Sequence, residues 1–312
     1  PDILNVMPSS SFFSQFLCPS THLDVSLILQ CLSSLTGCVY LADNHMPVIA
    51  FSPISYCIQK NKKILHYTRN QKSTYMQTEL QDFKSFIDIQ QTKHSTHFDS
   101  FNGGYIGFFD YNFSASEQIH NQHRSQPTFF LGQYLTFLRL ENQQWNFYST
   151  EENAAEIFNQ IECLIYAKPL SMPSFSMAMP CQARWNKTQY LHAFKQVQDY
   201  IRAGDCYQIN LTQEFTAKTT GNLLDTAQGL WQLTNAPYAG YLKIDDFELL
   251  SCSPELFIDF ETERKIVTKP IKGTMPRYVD PILDEQSKQT LKASKKDQAE
   301  NVMIVDLLRN DL

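Results

Sequence analysis

Ten glycines in 312 residues, three of them between positions 103 and 107, set the strongest limit on what this chain can fold into. Average usage of roughly 7% predicts about twice as many. Glycine lets a backbone close around a phosphate, yet no G-x-G-x-x-G follows a strand-like run, and neither G-x-x-x-x-G-K-[ST] nor G-x-S-x-G occurs. Dinucleotide-binding folds, P-loop nucleotidases and α/β serine hydrolases are therefore disfavoured. So is nucleic acid as a partner, because the formal charge is −6 and no tract clusters the lysines and arginines that phosphates demand. The 22 Phe and 15 Tyr read as the core of a large β-rich fold.

Eight cysteines (Cys18, Cys31, Cys38, Cys57, Cys163, Cys181, Cys206, Cys252) are spread without a C-x-x-C pair, as buried thiols of a reducing compartment would be. Nowhere do 18 apolar residues run together, and the first residues lack the charged-then-apolar layout of a signal peptide. These features predict a cytoplasmic protein with no membrane partner. The start at Pro1 implies loss of an initiator methionine or of a longer N-terminus.

Periodicity divides the chain into a first half, 1–167, a Pro/Ser/Met linker, 168–181, and a second half, 182–312. In the first half, 39–41, 47–51 and 133–140 have strand character. In the second, Tyr190, Phe194, Val197 and Ile201 fall at helical spacing over 188–203, with Gly204 as the stop. Residues 206–215 then alternate, Tyr207, Ile209 and Leu211 against Gln208, Asn210 and Thr212, predicting a strand whose amide-rich face meets either ligand or solvent. Strands over 238–244 and 247–252 flank Asp245-Asp246, and a hairpin runs from Pro254 to Lys272. Helices follow Pro281 and begin at Ser294, where Ser294-Lys295-Lys296-Asp297 resembles a capping box.

If the hairpin turns between Glu263 and Arg264, Glu255 lies opposite Lys272, with Cβ atoms roughly 5 Å apart. One reading is a cross-strand salt bridge on a solvated sheet. The other is a nucleophilic lysine beside a general acid. A free lysine, with a pKa near 10.4, is only about 0.1% neutral near pH 7.4, and removing that handicap costs about 4 kcal/mol. An ionised glutamate would oppose the change, whereas a protonated one turns the pair into nucleophile plus acid.

Several motifs then fall in register: Asp205-Cys206-Tyr207-Gln208-Ile209-Asn210-Leu211, Ser253-Pro254-Glu255, Pro270-Ile271-Lys272-Gly273-Thr274, and Ala299-Glu300-Asn301 through Ile304-Val305-Asp306-Leu307-Leu308-Arg309-Asn310-Asp311. Over roughly 185–312 they resemble the chorismate-utilising enzymes, and Gly103-Gly104-Tyr105-Ile106-Gly107 looks like the family's N-terminal glycine motif. The resemblance implies an α+β fold of two facing antiparallel β-sheets with outer helices, in two interwoven halves, with 182–312 the start of the chorismate-binding region. Members continue well past Leu312, so it also implies a fold incomplete at the C-terminus.

Position 272 discriminates within the family. Anthranilate and salicylate synthases usually carry alanine there, whereas lysine is typical of the members that aminate chorismate at C4 on the way to 4-aminobenzoate and folate. The resemblance thus implies that Lys272 attacks C2 of chorismate, that Glu255 donates the proton, and that Gly273 and Thr274 contact the substrate. It makes Glu300 a ligand of Mg²⁺, with Asp297 an alternative ligand or a cap, and calls for a glutamine amidotransferase subunit as the ammonia source. A tryptophan pocket would have Pro237, Tyr238 and Ala239 on one wall and Leu41-Ala42-Asp43 on the other, where Asp43 replaces the usual serine. The same resemblance leaves open an anthranilate synthase component I, or a non-catalytic fragment that binds only the glutaminase partner or tryptophan. His94/His97 and His120/His123 have metal-compatible spacing but sit in polar, loop-like sequence, and are set aside.

Overall fold

Strands buried at nearly every central position, Val48–Ala50 and Phe129–Tyr134 among them, build two antiparallel sheets whose apolar faces meet. The computed structural model describes residues 13–17, 24–42, 46–70, 73–89, 100–115, 126–167, 174–261, 263 and 265–312. A seven-stranded sheet runs, in spatial order, Phe13–Phe16, Gln144–Ser149, Thr136–Glu141, Val48–Ala50, Cys38–Leu41, Tyr238–Ile244, Phe247–Ser253. A five-stranded sheet runs Tyr75–Leu80, Lys63–Arg69, Ser55–Lys60, Phe129–Tyr134, Gly104–Phe109. Val39, Val48, Phe137 and Leu242 of the first meet Tyr56, Ile58, Ile106 and Phe130 of the second in a shared core.

Helices close the outer faces. Val25–Leu32 and Ala154–Tyr166 lay Ile28, Leu29, Phe158 and Ile161 against Tyr40, Ile49 and Phe147 of the larger sheet. Phe86 of the Phe83–Ile89 helix packs on Cys57, Phe129 and Leu131 of the smaller one. The expected α+β architecture is thus present. The halves are interwoven too, since Tyr238–Ile244 and Phe247–Ser253 complete the first half's sheet through a turn with Asp245 at φ 52°.

The glycine cluster serves this architecture. Gly107 pairs with Leu131, and a Cβ at 107 would lie 1.9 Å from the Phe130 carbonyl oxygen, so only glycine allows that approach.

Two expected strands differ. Residues 133–140 are not one strand: Phe129–Tyr134 belongs to the five-stranded sheet and Thr136–Glu141 to the seven-stranded one. The chain crosses between sheets at Leu135, and Tyr134 and Phe137, three positions apart, both enter the shared core. Residues 206–214 form no strand, because no described strand runs beside them to complete a ladder. Only Phe215–Thr216 pairs, with Gln182–Ala183, and Tyr207 and Ile209 are exposed. Of the linker, Ser176–Met177 pairs with Thr219–Thr220; 168–173 lie outside the described residues.

The helices of the second half agree with their signals. Lys187–Ala203 opens on an Asn186/Gln189 capping box and stops at Gly204, φ 81°. Pro281–Ala293 is capped by Asp280, and Lys295–Asp311 by Ser294. Cys31, Cys38 and Cys57 are buried free thiols, and Cys163, Cys181, Cys206 and Cys252 are free as well; Cys18 lies outside the described residues. No described helix is long and apolar enough to cross a membrane.

One buried imidazole makes stability depend on pH. His66 is 8% exposed on the outer face of the five-stranded sheet, with Nε2 2.8 Å from Ser55 Oγ. Burial holds its pKa below the usual 6.5. The unfolded chain therefore binds this proton at higher pH than the folded one. Its contribution is fully present above about pH 6.5 and lost as pH falls through the lower folded value. Denaturation midpoints of the native protein and His66→Gln, compared from pH 7.5 to 5, should converge as pH falls. A constant gap would contradict this.

Candidate active site

Glu255 and Lys272 sit at the open end of a short hairpin, Leu256–Phe260 paired with Ile266–Lys269. Its register differs from the expected one. Phe260 faces Ile266 and Asp259 faces Val267, one residue tighter, because Glu263 takes a left-handed φ of 57° and the Glu261 N–H closes on the Lys265 carbonyl at 2.8 Å. A bulge between Leu256 and Asp259 then sets Leu256 against Lys269. Glu255 and Lys272 are therefore not ladder partners.

They meet nonetheless. The described ladder ends at Lys269, just before Pro270, which has no N–H to donate. Beyond it the Ile271 N–H donates to Glu255 Oε1 at 2.8 Å, and Lys272 Nζ lies 3.9 Å from that same oxygen. The lysine side chain is 19% exposed and the glutamate 39%, so the ammonium is the better shielded partner. At 3.9 Å the contact is an ion-pair distance with room to shorten into a proton-transfer geometry.

The next residue fixes this loop against the last helices. Gly273 has φ 72°, and a Cβ there would come within 2.8 Å of Asp297 Cγ and 2.9 Å of Leu291 Cδ1. Lys272 is thus presented from a backbone lying directly on the Pro281–Ala293 and Lys295–Asp311 helices. Thr274 beside it is exposed. Ser294, not Asp297, caps the last helix: its Oγ accepts from the Asp297 N–H at 3.3 Å, leaving the Asp297 side chain against Gly273.

Glu300, one turn beyond Asp297, borders a groove of about 420 Å³ between the Lys187–Ala203 and Lys295–Asp311 helices, walled by Phe194, Ile201, Ile209 and Met303. A carboxylate oxygen is the hard donor that Mg²⁺ takes. Among the described residues, however, no three His, Cys, Asp or Glu side chains converge on one point. Glu300 fits Mg²⁺ in donor type, and the described residues do not complete a site.

The two walls expected for tryptophan are adjacent: Leu41 pairs with Gly240, and the Ala42 N–H donates to the Ala239 carbonyl at 2.8 Å. Ala239 is buried and Tyr238 half-buried. Asp43 lies outside the described residues, as do His94, His97, His120 and His123. Sequence reasoning missed the Ile271 N–H, a backbone group with no side-chain signal. The contact of Gly273 with Asp297 was foreshadowed only by a glycine next to the lysine.

The profile of the chorismate binding enzymes matches residues 37–312, well beyond the span of the motifs. Aminodeoxychorismate synthase component 1 of Escherichia coli K12 is 32% identical over 273 residues, covering 85% of this chain and 59% of that protein. Its namesake from Klebsiella aerogenes is 42% identical over 139 residues, 45% of this chain and 31% of that one. The chain thus spans three fifths or less of the length of these relatives. Anthranilate synthase component I from Streptococcus pneumoniae superposes with a TM-score of 0.65 at 20% identity, over 86% of this chain and 61% of that one, so the fold is shared. Over residues 37–312, from Gly37 at the entry to the Cys38–Leu41 strand onward, this chain belongs to the chorismate binding enzyme family.

Proposed function

We propose that this chain carries the C4-amination chemistry of an aminodeoxychorismate synthase component I. The observation behind this reading is the meeting of Lys272 and Glu255 at one carboxylate oxygen, with that oxygen anchored by the Ile271 N–H. Neutral Lys272 attacks C2 of chorismate, and the C4 hydroxyl leaves as water with the proton held by Glu255. Ammonia then forms the new C–N bond at C4, the C2–lysine bond breaks, and 4-amino-4-deoxychorismate departs. The route divides one difficult substitution into two allylic ones.

Glu300 would supply one carboxylate oxygen to a Mg²⁺ ion, which when bound would hold a chorismate carboxylate. Ammonia comes from a glutamine amidotransferase subunit, in keeping with the "component 1" of the relatives' names. The product feeds 4-aminobenzoate and folate synthesis in the cytoplasm. Supplying the protein with chorismate and an ammonium salt bypasses the partner. Chromatography should then show 4-amino-4-deoxychorismate. Fluorescent anthranilate in its place, or no chorismate turnover, would overturn the proposal.

A further inference from the structure

The segment that presents Lys272 has no ladder of its own. Residues 270–278 are neither helix nor strand, and Met275 and Tyr278 are exposed. One stripe of the Pro281–Ala293 helix and its end holds the segment in place. Of residues 281–294, Asp284, Ser287, Leu291 and Ser294 alone are buried or half-buried, and their spacing of three, four and three sets them on one face.

The loop runs antiparallel along that face. Gly273 lies on Leu291, and three positions on the Pro276 carbonyl accepts from Ser287 Oγ at 2.6 Å. Arg277 Nε and Nη2 then donate to the two Asp284 oxygens at 2.7 and 2.9 Å, and the Tyr278 N–H donates to Asp284 Oδ1 at 3.0 Å. The contacts at Pro276 and Tyr278 grip the backbone directly. Solvent screens the Arg277 fork, because that side chain is exposed. Ser287, the one buried residue of the helix, makes its contact out of water.

We propose that Ser287 and Asp284 are positioning residues, which hold the 273–278 backbone so that Lys272 Nζ stays at Glu255. The inference rests on the C4-amination reading above. A reacting amine displaced by about 1 Å can cost on the order of 10²-fold in rate. Acetylation by N-hydroxysuccinimidyl acetate, resolved by peptide mass spectrometry, reports how firmly Lys272 is held. Asp284→Ala/Ser287→Ala should speed labelling of Lys272 at least fivefold. Lys60 and Lys243, shielded to a similar degree but in the two sheets, should stay within twofold of their native rates. In turnover, Ser287→Ala should lower kcat for C4 amination at least tenfold, by more than KM for chorismate rises, and Ser287→Thr, which keeps the hydroxyl, should restore it. Unchanged labelling of Lys272, or an equal rise at all three lysines, would overturn the assignment. So would an undiminished kcat in Ser287→Ala, or a threonine variant as impaired as the alanine one. Labelling needs no turnover, so native protein that makes no 4-amino-4-deoxychorismate overturns the functional reading, while the labelling still decides the positioning.

Discussion

Replacing Lys272 with alanine is expected to lower 4-amino-4-deoxychorismate formation by about a thousandfold or more, because among the described residues Lys272 is the amine that pairs with Glu255. The fold should tolerate the change. Glu255 keeps its hydrogen bond from the Ile271 N–H, and a partly exposed ion pair contributes at most about 1 kcal/mol. C2 is then open to water or ammonia directly, so C2-substituted products should replace the C4 amine. Chorismate consumption and product identity must therefore be followed separately. Amination at C4 undiminished in this variant would refute a covalent role.

The largest effect on stability is expected at Arg69→Met. Arg69 on the five-stranded sheet pairs with Glu151, 82 positions away on the connection from the seven-stranded sheet to the Ala154–Tyr166 helix. The side chains are 12% and 11% exposed. Removing the cation strands a shielded carboxylate, which costs about 3–5 kcal/mol when burial is complete and about 3 kcal/mol here, where a cavity bordered by both residues admits water. Arg69→Met/Glu151→Gln should recover most of the loss, since the amide oxygen still accepts from Thr136 without carrying charge. Denaturant midpoints of the two variants decide it. A single variant as stable as the native protein, or a double variant no better than the single, would show that the pair does not tie the sheets together.

Local periodicity made much of this molecule legible in the sequence. The 187–203 helix, its Gly204 stop and the 238–253 hairpin each depend on residues a few positions apart. Errors arose where spatial neighbours decided the outcome. Residues 133–140 alternate, but both of their segments contribute to the same inter-sheet core, so the crossing at Leu135 left no break in composition. Residues 206–214 carry strand-like alternation without a described strand to pair with. The hairpin register failed because one left-handed residue, Glu263, tightened the turn. The pairing of Glu255 with Lys272 survived that error because it forms beyond the ladder, through backbone that Pro270 and Gly273 redirect. The Arg69–Glu151 pair had no signal at all, being joined only when the two sheets meet.

The covalent lysine is tested most directly by intact mass spectrometry of the protein mixed with chorismate in the absence of ammonia. A gain equal to chorismate less one water, mapped to Lys272 and missing from Lys272→Ala, is the predicted result. An unmodified mass in protein that makes 4-amino-4-deoxychorismate once ammonium is added would contradict it.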